Sequence, residues 1–374
     1  MKLVGAFVAV FALGALAQSS GIPIVTKHEG CFAAMLLQFS PDGSELAQAC
    51  GFSPIEMFDT TNYRKARTFR SEIDYTPELK GFAYSPDGKT MATARGHGGA
   101  AIWNAADPGK PVTLPDGKPL KSFYGVDELY ALDKPFHVLQ PPTGSSDEFA
   151  SVLLITYSPD GKHLLTTHLS GQLKIWDAST WTLLRELTVS EKGNNALFSA
   201  IAIAPDSKSF IIGDRDGILH LWNLDSKSET RAVPSPGGLN SIVNLTYSPD
   251  GKTLVVVHMG KKRCDSGSAV VWNTTDWTAR TFGGYSAAAF SRDGRLMALG
   301  GPDIKLVDVA SGKELRSIDL PAHTKGEILP DSAHRPDANE KLPVCICAVA
   351  FSPDADILAV GSFEGTLRVM KLNR

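Results

Sequence analysis

One short phrase returns seven times along this chain of 374 residues, and nothing else in the sequence narrows the fold as much. It reads Phe39-Ser40-Pro41-Asp42-Gly43, Tyr84-Ser85-Pro86-Asp87-Gly88, Tyr157-Ser158-Pro159-Asp160-Gly161, Ile203-Ala204-Pro205-Asp206, Tyr247-Ser248-Pro249-Asp250-Gly251, Phe290-Ser291-Arg292-Asp293-Gly294 and Phe351-Ser352-Pro353-Asp354. Each copy follows a short apolar run and precedes another, such as Leu164-Leu165-Thr166. Proline presets φ, aspartate bonds its side chain back to the backbone, and glycine supplies a positive φ. The phrase therefore predicts a tight turn between two antiparallel strands.

A second phrase closes each unit: Met57-Phe58-Asp59, Ile102-Trp103-Asn104, Ile175-Trp176-Asp177, Leu221-Trp222-Asn223, Val271-Trp272-Asn273, Leu306-Val307-Asp308 and Val369-Met370-Lys371. From the turn aspartate to the middle of the triplet the separation is 16 in five units, 22 in the fifth and 14 in the sixth. A fourth run follows, such as Leu183-Leu184-Arg185-Glu186-Leu187. Four short strands in units of about 43 residues is the signature of a propeller blade.

These residues resemble WD repeats, most closely at Lys174-Ile175-Trp176-Asp177 and at Asp216-Gly217 ahead of Leu221-Trp222-Asn223. The resemblance covers about residues 22–374. It implies an all-β, seven-bladed β-propeller and a protein-binding role rather than catalysis. No Gly-His stands ahead of a first strand, where WD repeats often carry it; Lys27-His28 and Ala322-His323 are the nearest matches. The family's hydrogen-bonded Asp–His–Ser–Trp group is thus incomplete, and blade stability rests on apolar stacking between sheets. The last unit has three strands, and Ile22–Thr26 is the spare strand expected to pair with 366–372 and close the ring. Such pairing removes an exposed sheet edge.

Residues 1–17 combine Lys2, an apolar run and the ending Ala15-Leu16-Ala17, the parts of a signal peptide. The mature chain, 18–374, is expected to be one exported propeller, periplasmic or secreted. Apolar residues at 43% and charged residues at 21% fit a soluble globular chain. A net charge of −3 argues against a polybasic nucleic-acid binder. Of the cysteines Cys31, Cys50, Cys264, Cys345 and Cys347, the first lies eight residues before Phe39 and the fourth six before Phe351. Both approach one rim at the closing seam, which predicts a Cys31–Cys345 disulfide.

Three stretches interrupt the repeat. From Trp103 to Asp160 is 57 residues against 28–30 in ordinary units, which places an insertion at about 115–148. Others fall at about 260–267 and 321–343. All three are expected on the face of the second turns and the blade-to-blade links. Long loops on a rigid scaffold are where binding concentrates. The expected partner is another protein and the expected state a monomer. The candidate contacts are Tyr124 and Tyr130 in the first insertion, Lys262 and Arg263 in the second, and Arg95 and His168 at the ends of second strands. Arg95, His168, Asp214 and His258 stand eight residues past their turn aspartates and form either a rim arc or a set of interior hydrogen-bonding groups. His323, Glu327, Asp331 and His334 can bind metal, but their irregular spacing predicts no metal site, and no cofactor is expected. The alternative function is a propeller enzyme of lactonase or other hydrolase type, acting at the central channel.

Overall fold

The computed structural model describes residues 34–50, 55–69, 79–95, 99–106, 110–111, 130–131, 137–139, 152–168, 170–188, 198–226, 228–236, 241–260, 267–320, 345–362 and 366–372. They form a seven-bladed propeller whose antiparallel blades run from an inner to an outer strand. Blade 1 is Ala34–Phe39, Glu45–Cys50, Ile55–Asp59 and Lys65–Phe69. Blade 2 is Leu79–Tyr84, Thr90–Arg95, Gly99–Asn104 and His137–Leu139. Blade 3 is Val152–Tyr157, His163–His168, Gln172–Asp177 and Leu183–Thr188. Blade 4 is Ala200–Ile203, Ser209–Gly213, Ile218–Asn223 and Glu229–Pro234. Blade 5 is Ile242–Tyr247, Thr253–His258, Ser268–Asn273 and Ala279–Gly283. Blade 6 is Ala287–Phe290, Leu296–Gly300, Asp303–Asp308 and Glu314–Asp319. Blade 7 shows Ile346–Phe351, Ile357–Ser362 and Leu367–Lys371; the expected closing strand 22–26 lies outside the described residues.

The repeated phrase builds the turn it predicts. The Ser40, Ser85, Ser158 and Ser248 hydroxyls donate to the aspartate two residues on at 2.6–2.7 Å. The same hydroxyls accept the backbone N–H five residues on at 2.9–3.0 Å. The serine bond and the backbone N–H of Ser44, Lys89 and Lys252 hold the Asp42, Asp87 and Asp250 carboxyls below the ordinary value. The turn glycine sits at positive φ, 75° at Gly43 and 72° at Gly88. A Cβ there would meet the turn proline of the preceding blade: Pro353 for Gly43, Pro41 for Gly88 and Pro86 for Gly161. The turns thus stack as a ring that passes from blade 7 to blade 1.

The core is divided among the seven junctions between blades. Each apolar cluster joins two neighbours, as Leu173 and Ile175 of blade 3 meet Phe210 and Trp222 of blade 4. At the closing junction, Leu37, Phe39, Leu46 and Phe58 of blade 1 pack on Ala348, Ala350, Leu367 and Val369 of blade 7. Removing a buried leucine side chain from such a cluster costs about 2–5 kcal/mol. The ring is therefore closed by side-chain packing whatever completes the last sheet.

Candidate interaction surface

Strand direction gives the propeller two rims. First and third turns, including the Ser-Pro-Asp-Gly turns, share one rim. Second turns and blade links share the other, called the link rim below. Residues 259–267 join His258 to Ser268, and residues 320–345 join Asp319 to Ile346, so both of these departures start and end at the link rim.

The first departure does not follow them. His137–Leu139 pairs with Gly99–Asn104, His137 opposite Ile102 and Leu139 opposite Ala100, and is the outer strand of blade 2. The extra residues therefore fall within 105–136, between third and outer strands, rather than within 115–148 in the link to blade 3. Equivalent turns elsewhere take five residues, such as 178–182 and 309–313. The segment with Tyr124 and Tyr130 leaves and rejoins its blade at the turn rim, which corrects the expectation that all three insertions share a face. Tyr130–Ala131 pairs with Lys110–Pro111 and lies beside the outer strand of blade 1.

His168 is also not a surface contact. It is 3% exposed, and its Nε2 is 3.0 Å from Thr166 Oγ1, which accepts the Trp176 indole N–H at 3.0 Å. Residues six and eight past the turn aspartate share a strand face, so Thr166 links His168 to the buried tryptophan. Blade 2 repeats the first part, with Trp103 donating to Thr93 at 2.9 Å. Blades 4 and 5 carry Ile212 and Val256 there, and the Trp222 and Trp272 indole N–H groups have no hydrogen-bond partner among the described residues. His258 is buried and bonds Ser235 across blades at 2.7 Å. The interior reading of the polar arc therefore holds for both histidines. Arg95 ends its second strand at the link rim, opposite Leu79. Tyr124, Lys262, Arg263 and Cys31 lie outside the described residues. Cys345 is disulfide-bonded, to a cysteine outside the described side chains, and Cys347 is not.

A second repeated feature escapes the candidate residues. Arg67, Arg185, Arg231, Arg280 and Arg316 occupy one outer-strand register, opposite the residue before the tryptophan position. Several reach the third turn of the next blade. Arg67 donates to the Ala105 carbonyl at 2.6 Å, Arg185 to the Leu224 carbonyl, and Arg280 to the Gly312 carbonyl at 3.2 Å. Arg231 lies over the Trp277 ring at 5.3 Å. The turn rim is thus clasped from blade to blade through the Ala105, Leu224 and Gly312 carbonyls.

The central channel holds a cavity of about 580 Å³ that runs along the inner strands to the turn rim, lined by Gln38, Asn244, Thr246, Arg292 and Cys347 among others. Arg292 stands where the other turns carry proline and reaches the Pro41 carbonyl at 3.4 Å. Among the described lining residues there is no carboxylate and no imidazole. Among the described residues, no group of three or more histidine, cysteine, aspartate or glutamate side chains could hold a metal.

Residues 141–177 and 339–370 match the family model for the WD domain, G-beta repeat. The chain is 24% identical over 232 residues to pre-mRNA-processing factor 19 homolog 2 of Arabidopsis thaliana, covering 61% of this chain and 39% of that protein. It is 26% identical over 132 residues to target of rapamycin complex subunit LST8 of Mus musculus, 35% of this chain and 36% of the relative. Protein groucho of Drosophila melanogaster matches at 23% over 286 residues, 71% of this chain and 35% of the relative. The chain thus spans less than two fifths of each of these relatives. In structure it resembles the β-propeller domain of Cps50 (Swd1) from Myceliophteria thermophila, with a TM-score of 0.60 and 13% identity over 93% of this chain and 99% of that one. That likeness concerns the fold alone.

Proposed function

We propose that this WD40-repeat seven-bladed β-propeller is an exported interaction scaffold that holds a partner protein against its link rim. The observation that carries the reading is the placement of residues 259–267 and 320–345: both depart from a regular ring at the same rim. Two long connections on one rim of a rigid ring are suited to presenting a composite binding surface, and the third departure, 105–136, starts at the other rim. One similar protein is by name a complex subunit, which agrees with such a role. The contacts assigned are Arg95, Lys262 and Arg263. Tyr124 and Tyr130 belong to the segment that starts at the turn rim. The leader-type residues 1–17 and the disulfide at Cys345 support an oxidising, exported setting.

The test is substitution against the partner recovered from the native source. Arg263→Ala is expected to weaken binding by more than about 1 kcal/mol. Asp160→Asn, on the turn rim, is expected to leave affinity unchanged. Loss of affinity in the second variant alone, with its fold intact, would move the site to the other rim.

A further inference from the structure

Blade 4 differs from blades 3 and 6 in how it holds the third-strand residue two before the tryptophan position. Blades 3 and 6 place a lysine there, Lys174 at 3.8 Å from Glu186 and Lys305 at 2.9 Å from Glu314. Blade 4 places His220. Its Nδ1 lies 2.8 Å from Glu229 Oε1 and its Nε2 lies 3.2 Å from Asp214 Oδ2. Ionised carboxylates only accept hydrogen bonds, and a neutral imidazole has one N–H to give. Satisfying both ring nitrogens between two carboxylates requires the imidazolium.

Asp214 connects that ring to the next blade. Its Oδ1 accepts the N–H of Asp216 at 2.9 Å and of Ile218 at 2.8 Å, which shapes the turn 214–217. Its carbonyl accepts the N–H of Ile242, the first residue of blade 5, at 3.0 Å. Within the same turn, the Gly217 carbonyl accepts the Ser235 N–H at 2.9 Å, and the Ser235 hydroxyl meets His258 of blade 5. The turn 214–217, held on one side by His220, therefore carries the hydrogen bonds that meet blade 5 at the link rim.

We propose that His220, Asp214 and Glu229 form a pH-operated latch on this seam, closed while the imidazole carries both ring protons and released when it loses one. Burial works against the charged ring, but the bonds to Asp214 and Glu229 outweigh it and raise its pKa above the ordinary 6.5. Burial likewise opposes ionisation of Asp214, and the His220 and backbone bonds outweigh it to hold that carboxyl below its usual value. On blade 3, Arg185 is engaged by the Leu224 and Ser226 carbonyls at the third turn of blade 4. Because the folded-state pKa is raised, the stabilisation is complete below the unfolded value near 6.5 and is lost as pH rises through the folded one.

The test is amide hydrogen exchange at Ile218 and Ile242, with imidazole NMR of the parent chain. The His220 ring is expected to titrate above about 6.5. Protection of the two amides, corrected for intrinsic exchange, is expected to fall about tenfold for each unit of that elevation as pH passes through the transition. His220→Lys copies blades 3 and 6 and is expected to keep the fold while flattening the pH dependence. A ring titrating at or below 6.5 overturns the latch. So does protection at the two amides that does not change with pH, or a His220→Lys profile identical to the parent's.

Discussion

Thr166→Val tests the polar interior of the blades with almost no change of shape. The hydroxyl it removes accepts the Trp176 indole N–H at 3.0 Å and meets His168 Nε2 at 3.0 Å, and Thr166 and His168 are 0% and 3% exposed. A buried polar group stripped of its partner costs about 1–3 kcal/mol. With two groups affected, the loss is expected at about 2–4 kcal/mol. The reverse substitution comes from blade 5, where Val256 occupies the equivalent place and the Trp272 indole N–H lacks a partner. Val256→Thr supplies the missing acceptor and is expected to cost nothing or to stabilise by about 1 kcal/mol. Urea denaturation of parent and both variants, followed by tryptophan fluorescence and far-ultraviolet dichroism, reads both effects. A Thr166→Val loss no larger than that of a surface threonine would refute the relay. Apolar burial alone predicts the reverse order, Thr166→Val neutral or stabilising and Val256→Thr destabilising, so the sign of each change separates the two accounts.

Further outcomes follow from the turns and the seam. Gly88 has φ of 72° with only ordinary contact to Pro41 at 3.7 Å, so Gly88→Ala is expected to cost about 1–2 kcal/mol for backbone conformation alone. Gly283→Ala, where a Cβ meets nothing within 4 Å, is expected to be neutral or stabilising in the same melts. Cys345→Ala is expected to lower stability by about 2–4 kcal/mol under oxidising conditions and to change nothing under reducing ones. Peptide mapping of the oxidised chain is expected to return Cys31 as the partner; recovery of Cys50 or Cys264 instead would refute that pairing.

The blade count was legible because turn chemistry is local. Serine, proline, aspartate and glycine act within five residues, so seven copies of the phrase carried their structure with them. Outer strands were not legible in the same way. That of blade 3 buries only Leu187, and that of blade 2 is three residues long with Leu139 buried. Such strands have no apolar periodicity to read, which is why the sequence places the long departure after the outer strand of blade 2 and the structure places it before. The role of His168 could have been read from the two-residue period of its strand, which puts it on the face of Thr166 and Trp176. The arginine series was also present as a spacing, ten residues after Met57, Ile175, Leu221 and Leu306 and nine after Val271. Its meaning needed the ring, since the carbonyls it reaches belong to the next blade.

Cross-linking of the protein purified with its partner from the native source tests the central claim most directly, because lysines mark both rims. Lys261 and Lys262 lie within the second turn of blade 5, between His258 and Ser268, and Lys89 and Lys162 are exposed on the turn rim, at 82% and 77%. A lysine-reactive linker followed by mass spectrometry is predicted to join the partner to Lys261 or Lys262 and to leave Lys89 and Lys162 without cross-links to it. Cross-links concentrated at Lys89 and Lys162 would contradict the account.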